Sequence, residues 1–232
     1  MEKKKKKKNT KEKMAFVLAL DLLLLAAVLI AGGMLVFRWY RDKNRPELSL
    51  LKAPDWYTQD FLRINPYSRP GTKRKEINSI VVHYVANPGT NAAQNKAYFD
   101  NLADQTGENA TSASSHYIIG MEGEIVQCIP LDEVAYANYP RNDDTVSIEC
   151  CHPDSTGEFS EATKASLAKL IGWLCGELNL TERDVIRHYD VVGKNCPKYY
   201  VDEANWKDLK QSFKPEIKAA RQEKKQQKEL TE

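Results

Sequence analysis

The chain has 232 residues and a formal net charge of +2, a length that suits one globular domain with extensions. Residues 1–13 carry eight lysines and two glutamates, a net of +6, so the remaining 219 residues sit near −4. Because a nucleic-acid-binding protein needs a basic face on its folded part, this distribution argues against a nucleic-acid partner.

The first element in chain order is an apolar run, Met14 to Phe37, in which Asp21 is the single charge. As a helix it would be about 36 Å long, enough for a hydrocarbon core of about 30 Å. The Asp costs about 3 kcal/mol, and the eight leucines offset it at roughly 0.3–0.6 kcal/mol each. The alternative is a cleaved signal peptide, but the run exceeds the usual h-region of about 7–15 residues. We therefore expect a transmembrane anchor over 14–37.

The charges on either side of this run predict its orientation. The lysine-rich residues 1–13 precede it, and four basic residues follow it within 38–45. The positive-inside rule places 1–13 in the cytoplasm as a basic tail and everything after residue 40 outside the cell. We expect a single-pass protein of the cell membrane with its folded part extracellular.

The rest of the chain alternates strand and helix patterns. Residues 38–76 are polar and proline-rich, which predicts an extracellular linker with one short helix over 54–65. We then predict strands at 77–85, 145–151 and 184–189, a hairpin over 115–130, and helices over 91–105 and 160–180, the second capped by Ser160. This order predicts an α/β fold of packed layers. Residues 214–232 are charged and have no apolar stripe, so we expect a solvated C-terminal tail.

Two histidines and a cysteine stand out as candidate metal ligands. His83 and His188 end predicted strands, and Cys196 follows His188 by eight residues. Strand ends of an α/β fold meet along one edge, where sites collect. Two imidazoles and one thiolate suit Zn²⁺, and three protein ligands leave a fourth position for water, as in catalytic zinc sites. A competing interpretation makes Cys196 a thiol nucleophile with a histidine base, although it leaves one histidine without a role.

Four segments carry a family resemblance: SIVVHYV, SSHYIIG, VSIEC and RHYDVVGKNCP. In order and spacing they resemble the zinc-dependent N-acetylmuramoyl-L-alanine amidases of the type-2 family, which includes peptidoglycan recognition proteins. The resemblance covers about residues 77–212 and implies a mixed central β-sheet flanked by helices, with a zinc amidase domain over 77–213. It also implies that His83, His188 and Cys196 bind Zn²⁺.

The same resemblance implies roles for further residues. Lys194 matches the family lysine near the substrate carbonyl oxygen, and Glu149 matches the acidic proton shuttle. Ser115 stands where phage members often have a catalytic tyrosine, so Glu149 would have to move the proton. The expected reaction is cleavage of the amide between N-acetylmuramic acid and L-alanine by zinc-activated water, with Lys194 stabilising the oxyanion. Candidate cleft walls for the stem peptide are Tyr84, Asn138 and Tyr139.

Two alternatives remain open. A non-catalytic peptidoglycan-binding module is one, although such relatives typically lose the cysteine ligand that this chain keeps. A thiol-dependent cell-wall peptidase is the other. In either case the expected partners are peptidoglycan and, through the N-terminal helix, the lipid bilayer. The remaining cysteines are expected to be small buried hydrophobic residues: Cys128, Cys150, Cys151 and Cys175.

Overall fold

The computed structural model describes residues 2–43, 45–106 and 109–231, and the chain divides into two compact units whose boundary in the sequence falls between Arg45 and Pro46. The first unit is one helix, α1 (Glu2–Lys43). Its segment Phe16–Val36 has the length and apolar composition of a membrane span, criteria that a signal sequence also meets, and none of this segment is buried.

The second unit is built on one six-stranded sheet. Its strands are β1 (Thr58–Gln59), β2 (Ser79–Tyr84), β3 (Tyr117–Ile119), β4 (Ile125–Gln127), β5 (Thr145–Cys150) and β6 (Val185–Arg187). The order across the sheet is β1-β4-β3-β5-β2-β6. Only β3 and β4, the predicted hairpin, pair antiparallel, and the other neighbours pair in parallel. The predicted mixed sheet is confirmed.

Helices cover both faces of this sheet. They are α2 (Ala92–Asn101), α3 (Glu161–Leu178), α4 (His188–Val192) and α5 (Glu203–Thr231), with short 3-10 turns at Leu48–Leu50, Leu102–Asp104, Asn142–Asp144 and Tyr199–Val201. The Ser160 hydroxyl caps α3 by accepting from the backbone N–H of Thr163, as predicted. Ile80 and Val82 face a core formed with α3 and α5, while Ile118 faces a second core on the side of α2. Because both faces are covered, the apolar run of β2 is almost wholly buried.

The predicted helix over 54–65 and the predicted linker are wrong. This segment is extended, and it follows β4 through backbone bonds from Asp60 N–H to the Gln127 oxygen and from Leu62 N–H to the Cys128 oxygen. Leu62 is 1% exposed and belongs to the core on the side of α2. The residues from Pro46 onward are therefore part of the folded unit, because their apolar side chains complete its cores.

The C-terminal segment also differs from its prediction. Residues 214–231 continue α5 without a break, and Ile217 is 4% exposed within the core. The helix passes so close to α3 that a Cβ on Gly172 would lie 2.7 Å from the Glu216 Cβ. Ile217 continues the buried apolar stripe of Trp206, Leu209 and Phe213, and only this one turn of the stripe falls beyond residue 213, which is why residues 214–232 by themselves show no stripe. The start of the predicted tail is thus packed, not solvated.

Candidate active site

The sheet brings His83 and Glu149 together at one edge. β2 and β5 run parallel, and their register pairs these two residues directly. β6 lies on the other side of β2, and His188 follows its last residue as the first residue of α4. His188 was predicted to end a strand, and the structure places it one residue beyond that strand. Three neighbouring parallel strands therefore deliver three chemistry-bearing side chains to one edge.

Cys196 reaches the same edge because the chain folds back after α4. Gly193 ends that helix with φ +72, a left-handed conformation that glycine adopts without strain. The loop then returns, and the Tyr189 N–H donates to the Cys196 carbonyl at 2.8 Å. The GKNC run thus places its cysteine beside His188, as the metal interpretation of the sequence required.

His83, His188 and Cys196 offer one donor atom each, and these atoms all lie within 4.8 Å of one another. The Cys196 Sγ is 3.6 Å from the His83 Nδ1, and the two imidazole ring centres are 4.6 Å apart. The His188 Nδ1 is buried and has no hydrogen-bond partner among the described residues. The structure brings the three predicted ligands together.

Asn138 lies behind His83 rather than on the cleft wall where the sequence placed it. Its side chain is 1% exposed, and its Oδ1 is 2.6 Å from the His83 Nε2. The Thr145 hydroxyl donates to the Arg141 carbonyl, so it accepts from the Asn138 amide nitrogen at 2.8 Å. This leaves the amide oxygen for His83, whose Nε2 must carry the proton. The Nδ1 lone pair of His83 is then directed toward Cys196.

The protonation of the three donors fits a metal cation. Burial lowers the pKa of His83 to about 3, and it also lowers the pKa of His188, so both imidazoles are neutral near pH 7. Burial raises the pKa of the Cys196 thiol to about 12, so a thiolate here needs a compensating positive charge. Two neutral nitrogens and one sulfur in a closed cluster are ligands that Zn²⁺ prefers.

Glu149 and Lys194 stand beside this cluster. The Glu149 Oε1 is 3.9 Å from the His83 Nδ1, and its Oε2 is buried without a partner among the described residues. Burial raises the pKa of Glu149 to about 8, and the positive charge of Lys194 acts in the opposite direction. Lys194 itself is exposed at the same cavity. A carboxylate that exchanges protons near neutral pH and a cation beside the candidate metal ligands suit general acid–base chemistry.

The cavity has a volume of about 730 Å³, and the predicted residues Tyr84 and Tyr139 line it. Its far wall was not predicted: it comes from α2, with the exposed Tyr98, and from residues 112–114. The sequence signal for this wall was Tyr98, an aromatic residue on the side of α2 that faces away from the core. Ser115 is fully buried and donates within the sheet to the Ser147 carbonyl, so it does not reach the cavity.

A closed His/His/Cys donor set, an acid and an amine at the open edge of a mixed sheet define a candidate metal-hydrolase site. Comparison with known proteins identifies the family. Residues 73–199, just over half of the chain, match the family model described as N-acetylmuramoyl-L-alanine amidase, and the chain belongs to this family.

Individual relatives agree with this assignment. The chain is 31% identical over 159 residues to the N-acetylmuramoyl-L-alanine amidase CwlL of Bacillus licheniformis, a match that covers 63% of this chain and 43% of CwlL. It is 30% identical over 166 residues to the amidase BlyA of Bacillus subtilis strain 168, covering 62% of this chain and 43% of BlyA. The chain therefore spans less than half the length of these relatives.

Solved structures confirm the fold. The catalytic domain of XlyA superposes with a TM-score of 0.56 at 28% identity, covering 68% of this chain and 98% of that domain. A mutant endolysin from Bacillus subtilis superposes with a TM-score of 0.57 at 29% identity, covering 68% of this chain and 97% of its own.

Proposed function

We propose that this protein is a membrane-anchored, zinc-dependent N-acetylmuramoyl-L-alanine amidase. It would cleave the amide bond between N-acetylmuramic acid and the L-alanine of the peptidoglycan stem peptide. The observation that carries the proposal is the convergence of His83, His188 and Cys196 on one cavity edge with Glu149 and Lys194 beside them. Membership of the amidase family supports the same reaction.

The three candidate ligands, Glu149, Lys194 and Asn138 each have a task in this reaction. The two histidines and the cysteine would hold a Zn²⁺ ion, which would supply Lewis acidity to the reaction. Glu149 takes the proton of the attacking water and then delivers it to the departing amine of L-alanine. Lys194 stabilises the negative charge that develops on the carbonyl oxygen. Asn138 holds His83 in the tautomer that leaves its Nδ1 free to bind the ion.

Two observations weigh against the alternative functions. A thiol peptidase needs a thiolate at neutral pH, whereas burial raises the pKa of Cys196 to about 12. A binding module needs neither a proton shuttle nor an oxyanion stabiliser, and this cavity retains both Glu149 and Lys194.

We propose further that residues 14–37 anchor the protein in the cell membrane, with 1–13 in the cytoplasm and the amidase domain outside. The apolar segment Phe16–Val36 supports the anchor, and the lysine run supports the orientation. If the anchor is retained, the full chain stays in the membrane pellet after alkaline carbonate washing. Release of a shortened chain into the soluble fraction would show a cleaved signal sequence instead.

The activity is tested by digesting purified peptidoglycan with the full chain in nonionic detergent and identifying the products by mass spectrometry. Free stem peptides that begin with L-alanine, lost on chelation and restored by Zn²⁺, establish the amidase. Cleavage within the peptide that persists in chelator and stops on thiol alkylation would support the thiol peptidase. Binding to the wall without products would support the binding module.

A further inference from the structure

One side of α5 carries a row of basic residues at spacings of three or four. At 3.6 residues per turn the row falls within an arc of about 80° and extends over about 27 Å of the helix. This basic row consists of Lys207, Lys210, Lys214, Lys218, Arg221 and Lys225. None of its members lines the cavity of the candidate active site.

The positive charge of the row is largely uncompensated. Lys207, Lys214 and Lys218 are exposed and form no ion pair with any described residue. Lys210 and Arg221 donate to backbone carbonyls, and Lys210 also interacts electrostatically with Glu182, Asp184 and Asp190, so the uncompensated charge belongs mainly to the other members. Lys225 lies 3.7 Å from Glu229, and since both side chains are largely exposed this pair is weak.

The row borders a shallow groove of about 480 Å³ between α5 and the turn that precedes β6. Lys214, Lys218, Arg221 and Lys225 line the groove, and Glu182 of that turn is its one carboxylate among the described residues. The Asp184 carboxylate beside it accepts hydrogen bonds from the backbone N–H and hydroxyl of Thr181 and keeps its negative charge, but it does not line the groove. The groove is therefore concave and net positive.

The row also stands out against the charge of its own folded unit. The 187 residues from Pro46 onward have 22 Lys and Arg against 28 Asp and Glu, a net of −6. Of the five acidic residues of α5, Asp208, Glu216 and Glu223 lie at least 80° around the helix from every member of the row, whereas Glu203 and Glu229 lie on its side, near the two ends of the helix. Between Lys207 and Lys225 the acidic side chains of the helix therefore lie on other sides than the row, which leaves a net positive face along this part of α5.

We infer that the basic row binds a linear polyol-phosphate polymer of the cell wall and aligns the domain along it. A row one side chain wide matches a single chain of phosphodiesters, whereas a flat anionic membrane would also press Glu182 and Glu229 against lipid phosphates. A nucleic acid would gain affinity from stacking on exposed aromatic rings, but Trp206 and Phe213 of α5 are both buried. That the bound polymer belongs to the cell wall rests on the proposed function. That the row binds phosphate groups does not depend on it.

The test measures binding without turnover, so it is independent of the amidase proposal. Fluorescently labelled poly(glycerol phosphate) is titrated with the full chain in zwitterionic lipid nanodiscs, and anisotropy is recorded over a range of salt concentrations. The test variant, K214Q/K218Q, removes two positive charges from the row. Gln is chosen because its helix propensity is close to that of Lys, and these two positions because their side chains form no ion pair with any described residue. The matched control, K52Q/K75Q, removes two exposed lysines elsewhere and leaves the lysines of residues 1–13 in place.

We expect K214Q/K218Q to bind the polymer about tenfold more weakly, with a salt slope smaller by about 1.4, while the control keeps the wild-type affinity. Both variants should unfold at the wild-type temperature. Equal loss in the two variants would overturn the inference, because the binding would then be nonspecific. Equal affinity for an oligothymidylate would overturn the choice of a base-free polymer. Protection of α5 amides from hydrogen exchange in anionic nanodiscs, without polymer binding, would assign the row to lipid instead.

Discussion

At the scale of single residues, the side-chain amide of Asn138 determines the tautomer and the orientation of the His83 imidazole. A neutral imidazole has two tautomers, and only the one with its proton on Nε2 leaves the Nδ1 lone pair for a cation. The Asn138 Oδ1 at 2.6 Å selects that tautomer, and Thr145 and Arg141 fix the amide in turn. In the proposed zinc site, the orientation of His83 would therefore depend on residues that do not line the cavity.

Replacing Asn138 tests this dependence. Asn138→Ala removes the acceptor, so His83 can rotate and change tautomer, and we expect Zn²⁺ affinity to fall about 10- to 100-fold. The measurement is a competition titration against a chromogenic chelator. Tyr139→Ala is the control, since this neighbour is 81% exposed, and it should keep the wild-type affinity. Equal affinities for the two variants would show that the amide does not orient the ligand.

In the proposed reaction, Glu149 is the residue on which turnover should depend most. Its buried Oε2 has no partner among the described residues, so its environment maintains a high pKa suited to passing a proton back and forth. Glu149→Gln keeps the shape and removes the proton-accepting carboxylate. We expect the rate of stem-peptide release to fall about 10²- to 10⁴-fold while Zn²⁺ affinity is kept. Glu122→Gln, a substitution at an exposed carboxylate, should leave both quantities unchanged. Normal hydrolysis by Glu149→Gln would rule out its role as proton shuttle.

At the scale of elements, the contact between α3 and α5 holds the fold together through two glycines. A Cβ on Gly172 would come within 2.9 Å of the Glu216 backbone, which cannot rotate away, whereas a Cβ on Gly176 would lie 3.1 Å from the Ala220 Cβ. The two helices therefore approach closely only because these positions lack side chains. The approach is tighter at the first glycine than at the second.

This difference predicts a graded loss of stability. Alanine at a helix interior usually gains about 1 kcal/mol over glycine from propensity alone. At Gly172 the clash should outweigh that gain, and we expect Gly172→Ala to lower the free energy of unfolding by about 1–3 kcal/mol. Gly176→Ala should lose less. Urea unfolding followed by tryptophan fluorescence ranks the variants, and a Gly172→Ala protein as stable as the wild type would contradict the close contact.

The elements that the sequence predicted well are those whose periodicity reflects burial. The apolar run of β2 and the amphipathic repeat of α3 were visible because each packs apolar side chains at regular spacing. The extended segment near Leu62 was mistaken for a helix because its structure comes from backbone bonds to β4, a partner about 65 residues away in sequence. Local pattern carries no information on such a partner.

At the scale of the whole molecule, the candidate site was predictable where topology alone assembles it. The ends of parallel strands share an edge, so His83 and His188 could be paired from sequence, and the short loop to Cys196 added the third donor. The wall from α2 and the position of Asn138 could not be predicted in this way. Both depend on how distant loops pack over the sheet, which spacing along the chain does not determine.

The boundaries of the folded unit follow from burial rather than from the family resemblance. A fragment of residues 77–213 lacks Leu48, Tyr57, Leu62 and Ile217, all at most 8% exposed. At roughly 1.5–3 kcal/mol for each buried side chain, the fragment loses about 6–12 kcal/mol of burial free energy. This loss is comparable to the stability of a typical domain, about 5–15 kcal/mol.

We expect the fragment 46–232 to unfold cooperatively in urea and bind Zn²⁺, and the fragment 77–213 to show no cooperative transition. The fragment 46–213 keeps the N-terminal segment and loses only the end of α5, so it should still unfold cooperatively, at a lower urea concentration than 46–232. A 77–213 fragment with the midpoint of 46–232 would show that residues 46–76 lie on the domain without stabilising it.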